Sequence, residues 1–164
     1  MPEPALTLPP QSEVQPPIAG GATPLVSRLL AIAGTSPRLH LEIDPHDEML
    51  AFLLASHDGD RERALYTYFR SGWSIADALG QVLAWRFGGA AKVGRLLDFA
   101  SGCGRVTRFL LEAVPAERVW VSDVLPGAVE FQRRQLGVHA FPSTVQPEDF
   151  RSPERFDAIL VTSL

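Results

Sequence analysis

The stretch Leu96–Gly104, which reads LLDFASGCG, is the strongest indication of how this chain folds. Its apolar first half, up to Asp98 and Phe99, is typical of a buried strand, and the small residues after it predict a tight turn. Apolar residues then recur at three- and four-residue spacing, which predicts a helix that begins at about Cys103 to Arg105. A strand, a small-residue turn and a helix in this order are typical of an α/β protein with a parallel sheet.

Short β-favouring runs continue to alternate with helix-length segments after this turn. Pro126 begins a predicted helix that ends near Gly137, and the prolines between Phe141 and Phe156 predict a loop with at most one helical turn. The order β-α-β-α-β-β, with connections long enough for crossovers, predicts parallel strands. We therefore expect an α/β fold with a Rossmann-like doubly wound parallel sheet of about four strands. The later predicted strands are Val119–Val121, Val138–Phe141 and Asp157–Thr162.

Ahead of this sheet, the chain has a helical pattern. Asp44 followed by Pro45 is a helix-start signal. A second helix is predicted from Asp60 to Phe69, closing near Gly72, and a third is predicted from a Ser74 cap to Phe87. Before the helices, residues 1–24 hold seven of the fourteen prolines, which predicts a disordered leader. The expected organisation is the leader at 1–24, a helical N-terminal cap at 25–91 and the sheet domain at 92–164.

Composition narrows the classes of function. The 164 residues carry 15 Lys and Arg against 19 Asp and Glu, a net charge of −4, so neither nucleic acid nor a membrane is an expected partner. The longest apolar run is too short to span a membrane. The single cysteine suits a reducing compartment, and no basic residue precedes Arg28, so we expect a cytoplasmic protein without a targeting signal.

Two features at neighbouring strand ends predict a small-molecule cleft. Small side chains in the turn let a ligand approach backbone N–H groups at the start of the following helix. Asp123 ends the second predicted strand, 19 positions beyond Gly104. In nucleotide-binding doubly wound folds, a carboxylate at this place accepts hydrogen bonds from ribose hydroxyls.

At these residues the chain resembles the class I S-adenosylmethionine-dependent methyltransferases. Their first motif, D-x-G-x-G-x-G after an apolar strand, corresponds to Asp98–Gly104, with Ala100 in place of the first glycine. The acid of their second strand corresponds to Asp123, and their fourth-strand segment resembles Phe156–Val161. The resemblance covers Lys92–Leu164 and implies S-adenosyl-L-methionine as cofactor, with transfer of its methyl group to an acceptor that the sequence does not identify.

The resemblance also implies which residues bind the cofactor. The first motif would lie along the methionine end, Asp123 would bind the ribose, and the loop around Glu148 would lie near the adenine. Thr162 and Ser163 are candidate pocket residues, whereas Asp157 is expected to be structural, and neither a catalytic base nor a metal ligand is predicted. The predicted cofactor-binding residues are Asp98, Ala100, Ser101, Gly102, Gly104, Asp123, Asp149 and Phe150.

The family's sheet normally has seven strands, whereas this chain stops at Leu164, just after its fourth predicted strand. We therefore expect residues 1–164 to be the front part of a longer protein, with a partial class I methyltransferase domain at 92–164. The missing part would supply the other half of the sheet and much of the acceptor pocket.

Two other functions remain open at this point. A nicotinamide-dependent oxidoreductase would need a small residue three positions after Gly104, and Thr107 stands there. A non-catalytic module that binds S-adenosylmethionine is the other alternative.

Other notable residues have structural explanations that we favour. Cys103 is expected to be a small filler rather than a nucleophile, and the four histidines lack metal-ligand spacing. An aromatic cluster ahead of the third helix is expected to pack in the core, although it could also close over a sulfonium. Its members are Tyr66, Tyr68, Phe69, Arg70 and Trp73.

Overall fold

The computed structural model describes residues 18–19 and 23–162. The predicted leader lies almost wholly outside the described residues, and so does Ser163. No helix among the described residues is long and apolar enough to cross a membrane. In chain order, the strands and helices are β1 (Ile18–Ala19), α1 (Pro24–Ala33), β2 (Glu42–Ile43), α2 (Glu48–Ser56), α3 (Arg61–Phe87), β3 (Leu96–Phe99), α4 (Thr107–Leu110), β4 (Val119–Asp123), α5 (Pro126–Gln135), β5 (His139–Pro142) and β6 (Ala158–Val161).

The main sheet has the strand order β5-β4-β3-β6, and all three pairings are parallel. The chain runs outward from β3 through β4 to β5 and then crosses back to place β6 on the other side of β3. The predicted doubly wound parallel sheet of four strands is therefore confirmed. Since the order reverses at β3, the crevice beyond its carboxyl end is where such folds bind ligands.

One face of this sheet is covered by helices. Buried residues of β3 and β4, such as Leu96 and Val121, pack against Leu83 of α3 and against Val106 and Leu110 around α4. The opposite face carries aromatic side chains, among them a stack of Trp120 on His139 at 4.3 Å between ring centroids. The helix-covered face therefore anchors the turn that follows β3.

The helical cap differs from the sequence prediction in two places. Residues 61–87 form one continuous helix of 27 residues, so the predicted break near Gly72 and the predicted cap at Ser74 are wrong. The α2 helix begins after Asp47, whose carboxylate accepts a hydrogen bond from the Leu50 N–H at 3.0 Å, rather than at Asp44. The helix after the glycine turn is also shorter than predicted, with four residues that begin at Thr107.

Gly72 lies where α3 crosses the turn after β3. A Cβ atom there would collide with the backbone carbonyl of Arg105 and would lie 3.1 Å from the Phe109 ring. The glycine is therefore explained by the close approach of two backbones rather than by a helix end. Because the atom nearest to the added Cβ is a backbone carbonyl oxygen, the collision could be relieved only by moving one of the two backbones.

We predict that Gly72→Ala lowers the free energy of unfolding by about 1–3 kcal/mol, since the added methyl forces α3 away from the sheet domain. Gly80→Ala is the matched control on the same helix, because a Cβ there meets nothing within 4 Å. That variant should gain up to about 1 kcal/mol from helix propensity. Chemical denaturation measures both, and equal effects from the two substitutions would contradict the close packing at Gly72.

Candidate functional site

A cavity of about 330 Å³ opens beyond the carboxyl ends of β3 and β4. The turn after β3 forms one wall, and the beginning of α2 in the helical cap forms the wall opposite. The residues that line it are Asp47, Glu48, Met49, Ala100, Ser101, Gly102, Cys103, Arg105, Val106, Asp123, Val124, Leu125 and Thr162.

Three residues of the turn have a left-handed backbone conformation. Ala100, Gly102 and Gly104 have φ angles of 55°, 56° and 80°. A Cβ at Gly102 would meet nothing within 4 Å, so the space above this residue is open. Ala100 adopts its angle with a side chain, which costs about 1 kcal/mol and explains why a glycine is usual at this place of the motif.

Asp123 joins the end of β4 to the turn. Its Oδ2 accepts a hydrogen bond from the Gly102 N–H at 2.8 Å, and its Oδ1 accepts one from the Leu125 N–H at 3.0 Å. The residue is 6% exposed and lines the cavity. Each carboxylate oxygen retains acceptor capacity, so Asp123 can receive hydroxyl donors from a ligand while it holds the turn.

Asp98 lies beneath the turn and is 1% exposed. The Thr107 hydroxyl donates to its Oδ2 at 2.7 Å, while its Oδ1 has no hydrogen-bond partner among the described residues. Burial raises the pKa of Asp98 to about 7, and the Thr107 hydrogen bond and the Arg105 charge only partly oppose this shift. A buried carboxyl with an unpartnered oxygen is typical of a site that is completed by a polar ligand group or by water.

Gly104 faces away from the cavity. A Cβ there would lie 2.8 Å from Leu136 Cδ1 and 2.9 Å from Gln132 Oε1, so this glycine lets the end of α5 pack against the turn. Unlike Ala100, Ser101 and Gly102, it does not line the cavity. Its position in the motif is therefore explained by packing.

The loop after β5 lies at the aromatic face of the sheet. Phe150 packs edge-on against Phe99 at the end of β3, with ring centroids 5.3 Å apart, and lies 6.1 Å from the Phe141 ring. Asp149 is exposed, and neither Asp149 nor Phe150 lines the cavity. The structure thus brings Phe150 to the end of β3 but not into the cavity wall.

Arg108 is a buried residue that the sequence analysis missed. It is 1% exposed, and its guanidinium donates to Gly104 O at 2.9 Å, to His40 O at 3.0 Å and to Glu42 O at 2.9 Å. The guanidinium carbon also lies 5.6 Å from the ring centroids of both Tyr68 and Phe69. Nothing in the sequence distinguishes this arginine from the others, because its partners are backbone carbonyls, two of which lie more than sixty positions away along the chain.

The cap side of the cavity was also missed. Asp47 is 4% exposed and accepts a hydrogen bond from the Tyr68 hydroxyl at 2.6 Å, which fixes the beginning of α2 over the turn. Tyr68 and Phe69 belong to the core of the cap, with Tyr66 and Trp73 packed against it. The Asp-Pro-His-Asp-Glu pattern at 44–48 indicated a helix start, but only the contact across the chain shows that it forms a cavity wall.

Two other kinds of site have little support here. Burial strongly raises the pKa of the Cys103 thiol, so it is not poised as a nucleophile. Among the described residues there is no group of three His, Cys, Asp or Glu side chains that could hold a metal ion.

We predict that Arg108→Met lowers the free energy of unfolding by about 2–4 kcal/mol, because several buried carbonyl oxygens lose their donor at once. Arg63→Met is the control, since Arg63 is exposed and pairs only with Asp60 within its own helix turn. That change should stay within about 0.5 kcal/mol. Denaturation of the two variants under one condition makes the comparison, and similar small losses would refute a bridging role for Arg108.

One curated protein is similar in sequence to part of this chain. The chain is 38% identical over 69 residues to a ribosomal RNA small subunit methyltransferase C from Hamiltonella defensa subsp. Acyrthosiphon pisum (strain 5AT). The match covers 41% of this chain, which spans about 20% of the length of that relative. No family model matches the chain.

Two solved structures are similar in shape at 15% sequence identity. Streptomyces venezuelae DesVI superposes with a TM-score of 0.48 over 72% of this chain and 43% of that chain. The plantazolicin methyltransferase BpumL, solved in complex with SAH, superposes with a TM-score of 0.45 over 70% of this chain and 46% of that chain.

Two independent findings support the resemblance to methyltransferases. One is the sequence similarity to the curated methyltransferase. The other is the arrangement of the parallel sheet, in which the small-residue turn after β3 and Asp123 at the end of β4 share one cavity. Both findings agree with the resemblance of this chain to the class I S-adenosylmethionine-dependent methyltransferases.

Proposed function

We propose that this chain binds S-adenosyl-L-methionine in the cavity beyond β3 and β4 and is the cofactor-binding part of a methyltransferase. The observation that carries the proposal is the hydrogen bond from the Gly102 N–H to Asp123, which places a nearly buried carboxylate and an open glycine turn on one cavity. Asp98 does not line the cavity, but its unpartnered Oδ1 lies beneath the turn and would add an acceptor suited to an ammonium group.

In this proposal the chain's own residues bind and orient. Asp123 would accept the ribose hydroxyls, and the backbone of Ala100 to Gly102 would lie along the amino-acid end. When bound, the cofactor supplies an electrophilic methyl group on a sulfonium. The protein's contribution to the rate would then be alignment of the acceptor with that methyl group and exclusion of water.

The acceptor would enter from the side of the helical cap. Glu48 and Met49 lie on the cavity wall opposite the turn, and Thr162 lies at the carboxyl end of the fourth parallel strand. The curated relative acts on ribosomal RNA, as its name states, whereas the net charge of −4 argues against a nucleic-acid acceptor for this chain. We therefore propose an acceptor other than a nucleic acid. The single cysteine, which suits a reducing compartment, supports a proposed cytoplasmic location.

We predict that Asp123→Asn weakens binding of S-adenosylhomocysteine by about 10- to 100-fold, because the amide has one acceptor oxygen in place of the two that hold the turn and receive the ribose. Calorimetric titration of the purified chain measures the affinity. Asp77→Asn is the matched control, as Asp77 is exposed on α3 and bonds only Gln81.

A folded wild-type chain that does not bind S-adenosylhomocysteine would refute the proposed function. Binding of NADH in its place, seen as a change in nicotinamide fluorescence, would favour the oxidoreductase alternative. If the wild type and Asp123→Asn bound S-adenosylhomocysteine with equal affinity, the ligand would not bind in this cavity.

We also predict that binding of S-adenosylhomocysteine releases protons at pH 6 and few at pH 8. With a pKa of about 7, Asp98 is about nine-tenths protonated at pH 6, and an ammonium beside its Oδ1 favours the carboxylate and displaces the proton. The charges that already act on this carboxyl are Arg105, which lowers its pKa, and Asp123, which raises it. Affinity should therefore rise as the pH rises from 6 to 8.

Titration in two buffers of different ionisation enthalpy counts the protons. Methylthioadenosine, which lacks the amino-acid group, is the control ligand and should release none. Asp98→Asn should bind with little pH dependence, and a wild type whose affinity is flat across this range would place the ammonium elsewhere.

A further inference from the structure

We infer that Gln132, a residue of α5 outside the cavity, is a positioning residue that makes the Ser101 hydroxyl a hydrogen-bond donor to the amino-acid carboxylate of the ligand. The inference rests on the proposed function, because it concerns the same cavity. It adds a residue and a role that the family motif does not contain.

The geometry around Gln132 allows one orientation of its amide. The side chain is fully buried, and its Nε2 lies 2.7 Å from Gly102 O and 2.8 Å from Ser101 Oγ. A backbone carbonyl only accepts hydrogen bonds, so the group that faces Gly102 O must be the NH₂ group. Its second hydrogen is then directed at Ser101 Oγ.

This assignment determines what the Ser101 hydroxyl does. Because the Oγ atom accepts from Gln132, its own hydrogen is left for another acceptor, and none is present among residues 18–19 and 23–162. Ser101 is half-buried and lines the cavity. Its hydroxyl is therefore available as a donor to a ligand in the cavity.

The Gly102 peptide is held from two sides by the same arrangement. Its N–H donates to Asp123 Oδ2 at 2.8 Å, and its carbonyl accepts from Gln132 at 2.7 Å. The Gln132 Oε1 atom has no partner among the described residues, and it lies 2.9 Å from the position that a Cβ on Gly104 would take. Gln132 thus leaves one of its own hydrogen bonds unmade while it orients the turn.

The ligand group that suits this donor is a carboxylate. Ser101 belongs to the part of the turn proposed to lie along the amino-acid end of the ligand, and a hydroxyl donor to a carboxylate makes a charge-assisted hydrogen bond. S-adenosylhomocysteine and methylthioadenosine share the adenosine and the thioether, but only the former has the carboxylate. Their affinity ratio therefore reports on this contact.

The test is calorimetric titration of both ligands into the wild type, Ser101→Ala and Gln132→Glu. Glutamate has nearly the shape of glutamine but accepts the Ser101 hydrogen and repels Gly102 O, so it turns the donor away from the cavity. We expect both variants to lose about 10-fold in affinity for S-adenosylhomocysteine and less than about twofold for methylthioadenosine. The double variant should lose no more than Gln132→Glu alone.

Gln135→Glu is the control, since it makes the same change on the same helix and Gln135 forms no hydrogen bond with the turn. If Gln132 served only to stabilise the fold, its substitution would weaken both ligands equally, and that result overturns the inference. Ser101→Ala replaces a half-buried side chain at the cavity and carries the test even where Gln132→Glu unfolds the chain. An unchanged ratio in Ser101→Ala overturns the inference, whereas no binding by the wild type overturns the proposed function with it.

Discussion

The buried guanidinium of Arg108 is the interaction on which the cavity depends. It donates to Gly104 O in the turn and to His40 O and Glu42 O ahead of α2, so one side chain joins the sheet domain to the helical cap. Asp47 and its hydrogen bond from Tyr68 then place the start of α2 opposite the turn. Removing one partner of a buried charge is costly, because the remaining polar groups lose their hydrogen bonds. This junction therefore holds the two parts of the chain in one arrangement.

The turn itself is held by two side chains that form hydrogen bonds with one peptide group. Asp123 accepts from the Gly102 N–H, and Gln132 donates to the Gly102 carbonyl. Both contacts come from elements that follow the turn in the chain, at the end of β4 and in α5. The open, left-handed backbone over which a ligand would lie is therefore imposed from outside, and the strain at Ala100 is tolerated because its surroundings leave no alternative.

Local pattern predicted the sheet well and the helical cap less well. The runs at 96–99 and 158–161 are confirmed as parallel strands that pair with each other. The expectation that the last strand is covered on both faces is wrong, because β6 is an edge strand in which Ile159 and Val161 are exposed. Glycine usually stops helices, so the local pattern predicts a helix end at Gly72, whereas Gly72 lies inside α3 where the Arg105 backbone passes. The roles proposed for the predicted cofactor-binding residues remain predictions, although Ala100, Ser101, Gly102 and Asp123 do line one cavity.

By itself, the sequence determined the fold class, the turn after β3 and the acid at the end of β4, because each depends on residues that are close in the chain. The tertiary structure decided which residues complete the cavity. Asp47 lines the same cavity as turn residues that follow it by more than fifty positions, Arg108 bonds carbonyls 66 and 68 positions away, and Gln132 bonds Ser101 from 31 positions away. Contacts of this length arise only when separate elements pack together, and backbone carbonyl partners leave no signature in the identity of the residues that carry them.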